Sequence, residues 1–176
     1  MRLTHEQARA IIDHARAEAP NEACGVIAGR GTVAHEIIPI PNTADDPLHA
    51  YRMDEQSLVT ALIGGEKRGL ELVGFYHSHP HSDPIPSPTD IRQATYPDTP
   101  YLIVSLKGGE ARLSAWSMRY GQVTPIEVQV GIESPPESRP LSTAQKIAIL
   151  LSALIAFILM IVLSLSLLPP APIIPR

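Results

Sequence analysis

Residues 147–168 read IAILLSALIAFILMIVLSLSLL; nineteen of these 22 residues are apolar, three are Ser and none is charged. No other segment restricts the chain so strongly. A helix of that length spans ~33 Å, against ~30 Å for the hydrocarbon of a bilayer. Leu, Ile, Phe and Val each favour insertion by ~0.3–0.6 kcal/mol at mid-membrane. A core helix of a small domain keeps a polar face, and this segment has none. The sequence therefore predicts one transmembrane helix over 147–168, ended by Pro169 and Pro170, with a short tail at 169–176. The remainder is a modest, polar head, which argues against a wholly soluble protein, a multi-pass membrane protein and a disordered chain.

The first twenty residues, MRLTHEQARAIIDHARAEAP, contain no apolar run of the signal-peptide kind, so the expected arrangement is a tail-anchored, single-pass protein. Arg139 and Lys146 precede the span and only Arg176 follows it, which favours a cytoplasmic head. All 18 acidic residues and 13 of the 14 basic ones lie before residue 169, leaving the head at −5. That balance gives no electrostatic case for nucleic acid or an anionic lipid surface. The single cysteine, Cys24, excludes an intramolecular disulfide framework and fits a reducing compartment.

Within the head, Thr4-His-Glu-Gln7 is a capping-box pattern, and Ala8, Ile11, Ile12, Ala15 and Ala19 follow at helical spacing, predicting a helix over 4–19. Small apolar residues at 22–29 and the run 33–38 read as strands about a Gly29–Gly31 turn. A Pro-rich loop fills 39–52, and Asp54 caps a helix over 55–67 that Gly69 ends. Residues 71–77 read as a strand, 80–88 as an extended loop with four prolines, and about 88–95 as a short helix. Strands at 101–106, 111–118 and 122–130 are joined by hairpin-like turns. The order αββαβαβββ predicts an α+β (mixed α/β) domain with a mixed sheet and flanking helices. The expected organisation is a domain at 1–130, a Pro-rich linker at 131–146, the span and the tail.

The chemistry concentrates in His77-Ser-His79-Pro-His-Ser-Asp-Pro-Ile-Pro-Ser87-Pro-Thr-Asp90. Two His at i and i+2 on a strand point to one face, so both imidazoles can reach one metal ion. Asp90 can return as a third ligand once the Pro-rich loop turns the chain. Two His and a carboxylate suit a catalytic zinc site, with the fourth tetrahedral position left for a water whose pKa falls towards ~7. Ser87-Pro-Thr-Asp90 is equally a helix start, with Ser as N-cap and Asp at N3, and an Asp there can bind a cation instead of capping. Such a site also wants a general base. Several carboxylates qualify; Glu22 is attractive at the head of a small-residue strand, and its alternative is a solvated residue after Pro20-Asn21.

Taken together, His77-x-His79-Pro80-x5-Pro86-Ser87-x-x-Asp90, preceded by Glu22-Ala-Cys24-Gly25-x-x-x-Gly29, resembles the JAMM motif of the MPN+ zinc metallopeptidases, most closely their small prokaryotic branch. The resemblance covers about residues 3–130 and includes the Pro41-Asn42 loop and Gly74-Phe75-Tyr76. It implies an MPN-type fold, zinc held by His77, His79 and Asp90, and Glu22 as the acid/base for the zinc-bound water. It also implies that Ser87 stabilises the tetrahedral oxyanion. The implied activity is hydrolysis of a peptide or isopeptide bond at the C-terminus of a ubiquitin-like or sulfur-carrier protein. The membrane helix is a departure from that family. The alternative is a non-catalytic zinc-binding scaffold at the membrane, although scaffolds of this kind lose motif residues. A nucleic-acid role is disfavoured by the charge of the head and the H-S-H-P spelling. Cys24 and Trp116 read as packing residues, His81 as a solvated residue or one just behind the ligands, with substrate contact as the alternative, and Asp83 as a turn residue, with assistance at the site mouth as the alternative.

Overall fold

Eight strands form one mixed sheet in the order β7-β6-β5-β4-β2-β3-β1-β8. In the computed structural model, which describes residues 1–131 and 142–166, the chain runs β1 (Arg2–Leu3), α1 (His5–Glu18), β2 (Cys24–Arg30), β3 (Val33–Ile40) and α2 (Glu55–Lys67). It continues through β4 (Glu71–His79), α3 (Pro88–Gln93), β5 (Tyr101–Ser105), β6 (Arg112–Arg119), β7 (Gln122–Ile126) and β8 (Gln129–Val130) to α4 (Thr143–Ser166). Residues 1–135 and 136–176 form two separate units. Most of the expected linker, the last two residues of the expected span and the tail at 169–176 lie outside the described residues.

Local chemistry sets the helices. Thr4 Oγ1 accepts from Gln7 N while Gln7 Oε1 accepts from Thr4 N, the reciprocal capping box expected at the start of α1. Asp54 Oδ1 accepts from Ser57 N at the start of α2. Gly69 takes φ +71° just after α2, a conformation that side chains rarely adopt.

Alternation along the strands builds two cores, one on each face of the sheet. Ile27, Tyr76, Leu102 and Val104 face Ile11 and Ala15 of α1. Val26, Phe75, Tyr101 and Met118 face Leu58 and Ala61 of α2. β4 runs antiparallel to β2 and parallel to β5, with α3 in the crossover. It extends to His79, two residues beyond the expectation, because Leu106 N donates to His79 O and keeps the ladder going past His77. The last expected strand, 122–130, is divided. β7 pairs with β6 at one end of the order, and β8 pairs parallel with β1 at the other. Only two residues separate them, a reach of about 10 Å, so the sheet curls until its edges approach. Pro125 is tolerated because β7 is an edge strand. The two-residue strand β1 had no sequence periodicity to reveal it.

In the second unit, an 18-residue window of α4 within Thr143–Ser164 has a mean hydropathy of 3.0, and none of that window is buried. By length and composition it is able to cross a membrane.

Gly25 sits where β2, β3 and β4 close on each other. A Cβ there would lie 2.4 Å from Ile38 O and 2.5 Å from the Tyr76 ring. Gly25→Ala is expected to cost ~1–3 kcal/mol by overpacking and to lower the melting temperature of the head by ~5–15 °C in circular dichroism; an unchanged melt would contradict this packing.

Candidate metal centre

Three elements deliver the site. In β4, Phe75, His77 and His79 share one face while Tyr76 and Ser78 share the other. Their period of two brings His77 Nε2 and His79 Nε2 to 3.1 Å from each other, with both rings buried. The loop 80–87 then reverses the chain, and α3 begins. Ser87 Oγ accepts from Asp90 N at 3.1 Å, and Ser87 N donates to Asp90 Oδ2 at 2.6 Å. The capping reading of Ser87-Pro-Thr-Asp90 therefore holds. The ligand reading is compatible with it, because Asp90 Oδ1 lies 3.5 Å from His77 Nε2 and Oδ2 lies 3.5 Å from His79 Nε2. One carboxylate closes the helix end and still faces both imidazoles.

Glu22 enters from a third direction, two residues before β2. Its backbone is tied down: Glu22 N donates to Pro47 O at 2.7 Å, and Asn42 Nδ2 donates to Glu22 O at 2.8 Å. The next residue, Ala23, is locked to Ser78, which sits between the two His: Ala23 N donates to Ser78 Oγ, and Ser78 N donates to Ala23 O. The Glu22 side chain is buried, and Oε2 has no hydrogen-bond partner among the described residues. It is not the solvated residue that the sequence allowed. It lines a cavity of about 370 Å³ with His14, Glu18 and Asn42.

The electrostatics follow from burial in a cluster of charges. Burial pushes the Glu22 carboxyl up to about 7, opposed by His79 and reinforced by Asp90. Burial also pushes Asp90 up, but hydrogen bonds with His77, His79 and Ser87 N outweigh it, so its carboxyl lies well below the usual range. Burial holds His77 down. For His79, burial lowers the value while Asp90 and the Asp83 carbonyl raise it further, leaving it above the ordinary imidazole.

The donor set fits a small, borderline-soft divalent cation. His79 Nδ1 lies 2.8 Å from the carbonyl oxygen of Asp83, which can only accept, so Nδ1 carries a proton, and in the neutral ring Nε2 then presents a lone pair. Around a tetrahedral zinc with bonds of ~2.0–2.1 Å, ligand atoms lie ~3.3 Å apart. The two imidazole nitrogens, 3.1 Å apart, are close to that edge length, and each faces a different oxygen of Asp90 at 3.5 Å. His77, His79 and Asp90 are also the one group of metal-ligating side chains that converges among the described residues.

Sequence reasoning did not find the roles that three residues play here. The Tyr51 ring stacks on His77 at 4.4 Å. Asn42 holds the 42–52 loop by donating to Glu22 O and Ala50 O and accepting from Ala44 N and Arg52 N. Asp83, read as a turn residue, supplies the carbonyl for His79. The first two act across loops with no periodic signal, and the third acts through the main chain. Cys24 is a buried core residue, with its thiol pushed up to about 12 by burial, and His81 is exposed in the loop.

The profile of prokaryotic homologs of the JAB domain matches residues 4–119. A desampylase from Haloferax volcanii is 45% identical over 107 residues, covering 56% of this chain and 75% of that protein. A CysO-cysteine peptidase from Mycobacterium tuberculosis is 36% identical over 124 residues, covering 69% of this chain and 84% of that protein. A protein from Desulfitobacterium hafniense of known solution structure superposes with a TM-score of 0.72 at 29% identity, covering 80% of this chain and 99% of its own.

Isothermal titration of the metal-stripped chain is expected to show one Zn²⁺ bound per chain, and His77→Ala or Asp90→Ala is expected to weaken it by more than ~100-fold. Undiminished affinity in either variant would break the assignment.

Proposed function

The chain belongs to the prokaryotic branch of the JAB family, and from that premise we propose that it is a zinc-dependent metallopeptidase acting at the C-terminus of a ubiquitin-like or sulfur-carrier protein. Its relatives are named as peptidases, and the chain is a hydrolase of the same family. The observation that carries the reading is a cluster of two buried imidazoles and a buried carboxylate with ligand atoms within 4.8 Å of one another, electrostatically coupled to the buried Glu22. The names desampylase and CysO-cysteine peptidase support two forms of the substrate, a protein conjugate and a single residue attached to a carrier.

In this reading His77, His79 and Asp90 hold the metal. When bound, zinc supplies a Lewis acid that polarises the scissile carbonyl and acidifies water. Glu22 takes the proton from the attacking water and returns it to the departing amine, so that the C–N bond breaks while the acyl carbon gains oxygen. Burial prepares it for both steps, since a carboxyl near 7 binds and releases a proton with little bias at neutral pH. Its main chain is fixed by Pro47 and Asn42, so the side chain swings from a rigid root. Ser87 Oγ already accepts from Asp90 N, and its hydroxyl proton would be directed to the developing oxyanion. The helix α4 would tether this chemistry to a membrane, with the head on the cytoplasmic side.

A Gly-Gly-linked conjugate is expected to be cleaved by the full chain in detergent, and activity is expected to vanish on chelation and return with Zn²⁺. Glu22→Gln should lower kcat by ~10²–10⁴-fold while leaving zinc bound; cleavage that survives either treatment would refute the mechanism. The ionised form of Glu22 is the base, so kcat/KM should fall as pH drops through the value of this group. A dication nearby lowers a carboxyl, which puts that acidic limb below about 7, and Glu22→Gln should abolish it. For the anchor, alkaline carbonate should leave the chain in the membrane pellet, and Leu154→Arg with Ile158→Arg should release it. Carbonate extraction of the unaltered chain would contradict a span.

A further inference from the structure

The loop between His79 and the cap of α3 has no ladder of its own, yet it is heavily tied down. Sheet register shows where the ties come from. His79 stands beside Ser105 across the β4/β5 pair, and Ser105 stands beside Arg112 across the β5/β6 pair. These three residues make one row across three strands, and the loop folds back over it. Three successive carbonyls are then held. Ser82 O accepts from Ser105 Oγ at 2.7 Å, Asp83 O from His79 Nδ1 at 2.8 Å, and Pro84 O from the Trp116 indole at 2.9 Å. The residue in the middle is held a second time. Its carboxylate lies 2.8 Å from Lys107 Nζ and 2.7 Å from an Arg112 guanidinium nitrogen. Arg112 also donates to the buried Ser105 Oγ at 3.4 Å, joining the ion pairs to the row beneath.

We propose that the Asp83–Arg112–Lys107 cluster is a clamp that positions His79: it fixes the main chain at residue 83 so that the Asp83 carbonyl stays on His79 Nδ1–H and His79 Nε2 stays available to the metal. This rests on the reading of His79 as a ligand. The need for a clamp follows from the loop itself. Pro80, Pro84 and Pro86 carry no N–H, and the main-chain hydrogen bond that the loop does make on itself, from Ile85 N to Asp83 O at 2.8 Å, closes only a tight local turn and does not tie the loop to the sheet. A carbonyl partner fixes both the tautomer and the ring orientation of a ligating His, and loss of such a partner weakens metal binding. Asp83, Lys107 and Arg112 are each about half exposed, and exposed ion pairs do little for global stability. The effect therefore belongs in metal affinity and in the His79 tautomer, while the melting temperature stays nearly unchanged.

The test uses the full chain in detergent, stripped of metal. Zn²⁺ affinity is measured by competition with a chromophoric chelator, and the His79 tautomer by long-range ¹H–¹⁵N correlation. Asp83→Ala should bind Zn²⁺ ~10–100-fold more weakly and lose the uniform Nδ1–H form of His79. Asp83→Asn, which keeps an acceptor for Arg112 and Lys107, should recover part of the affinity. The double variant Asp83→Ala/Arg112→Ala should bind within about twofold of Asp83→Ala alone, since the ion pair is already lost in the single variant and only the long Arg112–Ser105 contact goes with it. If Asp83→Ala binds as tightly as the unaltered chain and His79 keeps Nδ1–H, while His77→Ala has lost affinity, the clamp is overturned and the ligand reading stands. If the unaltered chain binds no Zn²⁺, both are overturned.

Discussion

Two imidazole nitrogens and a carboxylate, all buried, face one another at 3.1–3.5 Å, and much of the head is arranged to keep them there. Lone pairs brought this close in a dry pocket repel unless a proton or a cation lies between them. The fold meets that constraint from several sides. Strand alternation delivers His77 and His79 together, the cap of α3 delivers Asp90, and Tyr51 covers the His77 ring. None of these elements could shift by one residue without breaking the set, because a one-residue slip of a strand turns its side chains to the opposite face.

Glu22 and the three clustered side chains arrive on different segments, and the ties between them are non-local. Ser78, between the two histidines, holds Ala23 through both its main chain and its hydroxyl. Asn42 holds Glu22 from the other side and organises the loop that carries Tyr51. The same inter-strand frame that builds the two cores therefore ties the residue after Glu22 to the strand that carries His77 and His79. Close approach at Gly25, against Ile38 O and Tyr76, lets β2 lie near enough to β4 for this to happen.

What could be read from the sequence was local. The Thr4–Gln7 box, the Asp54 cap, the i, i+2 histidines and the Ser87–Asp90 helix start each depend on residues within a few positions, and each stands in the structure. The double duty of Asp90 was only half legible, since composition offers capping and ligation as rivals while the geometry permits both. The pairing of β1 with β8 was invisible because it joins residues about 127 positions apart through strands of two residues. The roles of Tyr51 and Asn42 were missed for the same reason: a Pro-rich loop has no period, and those roles depend on where it returns. The main-chain role of Asp83 was beyond reach, because any residue carries a carbonyl.

The central claim is that His77, His79 and Asp90 form one nitrogen- and oxygen-rich metal site in the head. X-ray absorption at the zinc edge of the loaded full chain tests it most directly. The expected result is a four-coordinate ion with only nitrogen and oxygen neighbours at ~2.0–2.2 Å and the outer-shell scattering of two imidazoles. A sulfur shell at ~2.3 Å, which would enlist Cys24 or methionine, or a spectrum without imidazole scattering, would contradict it.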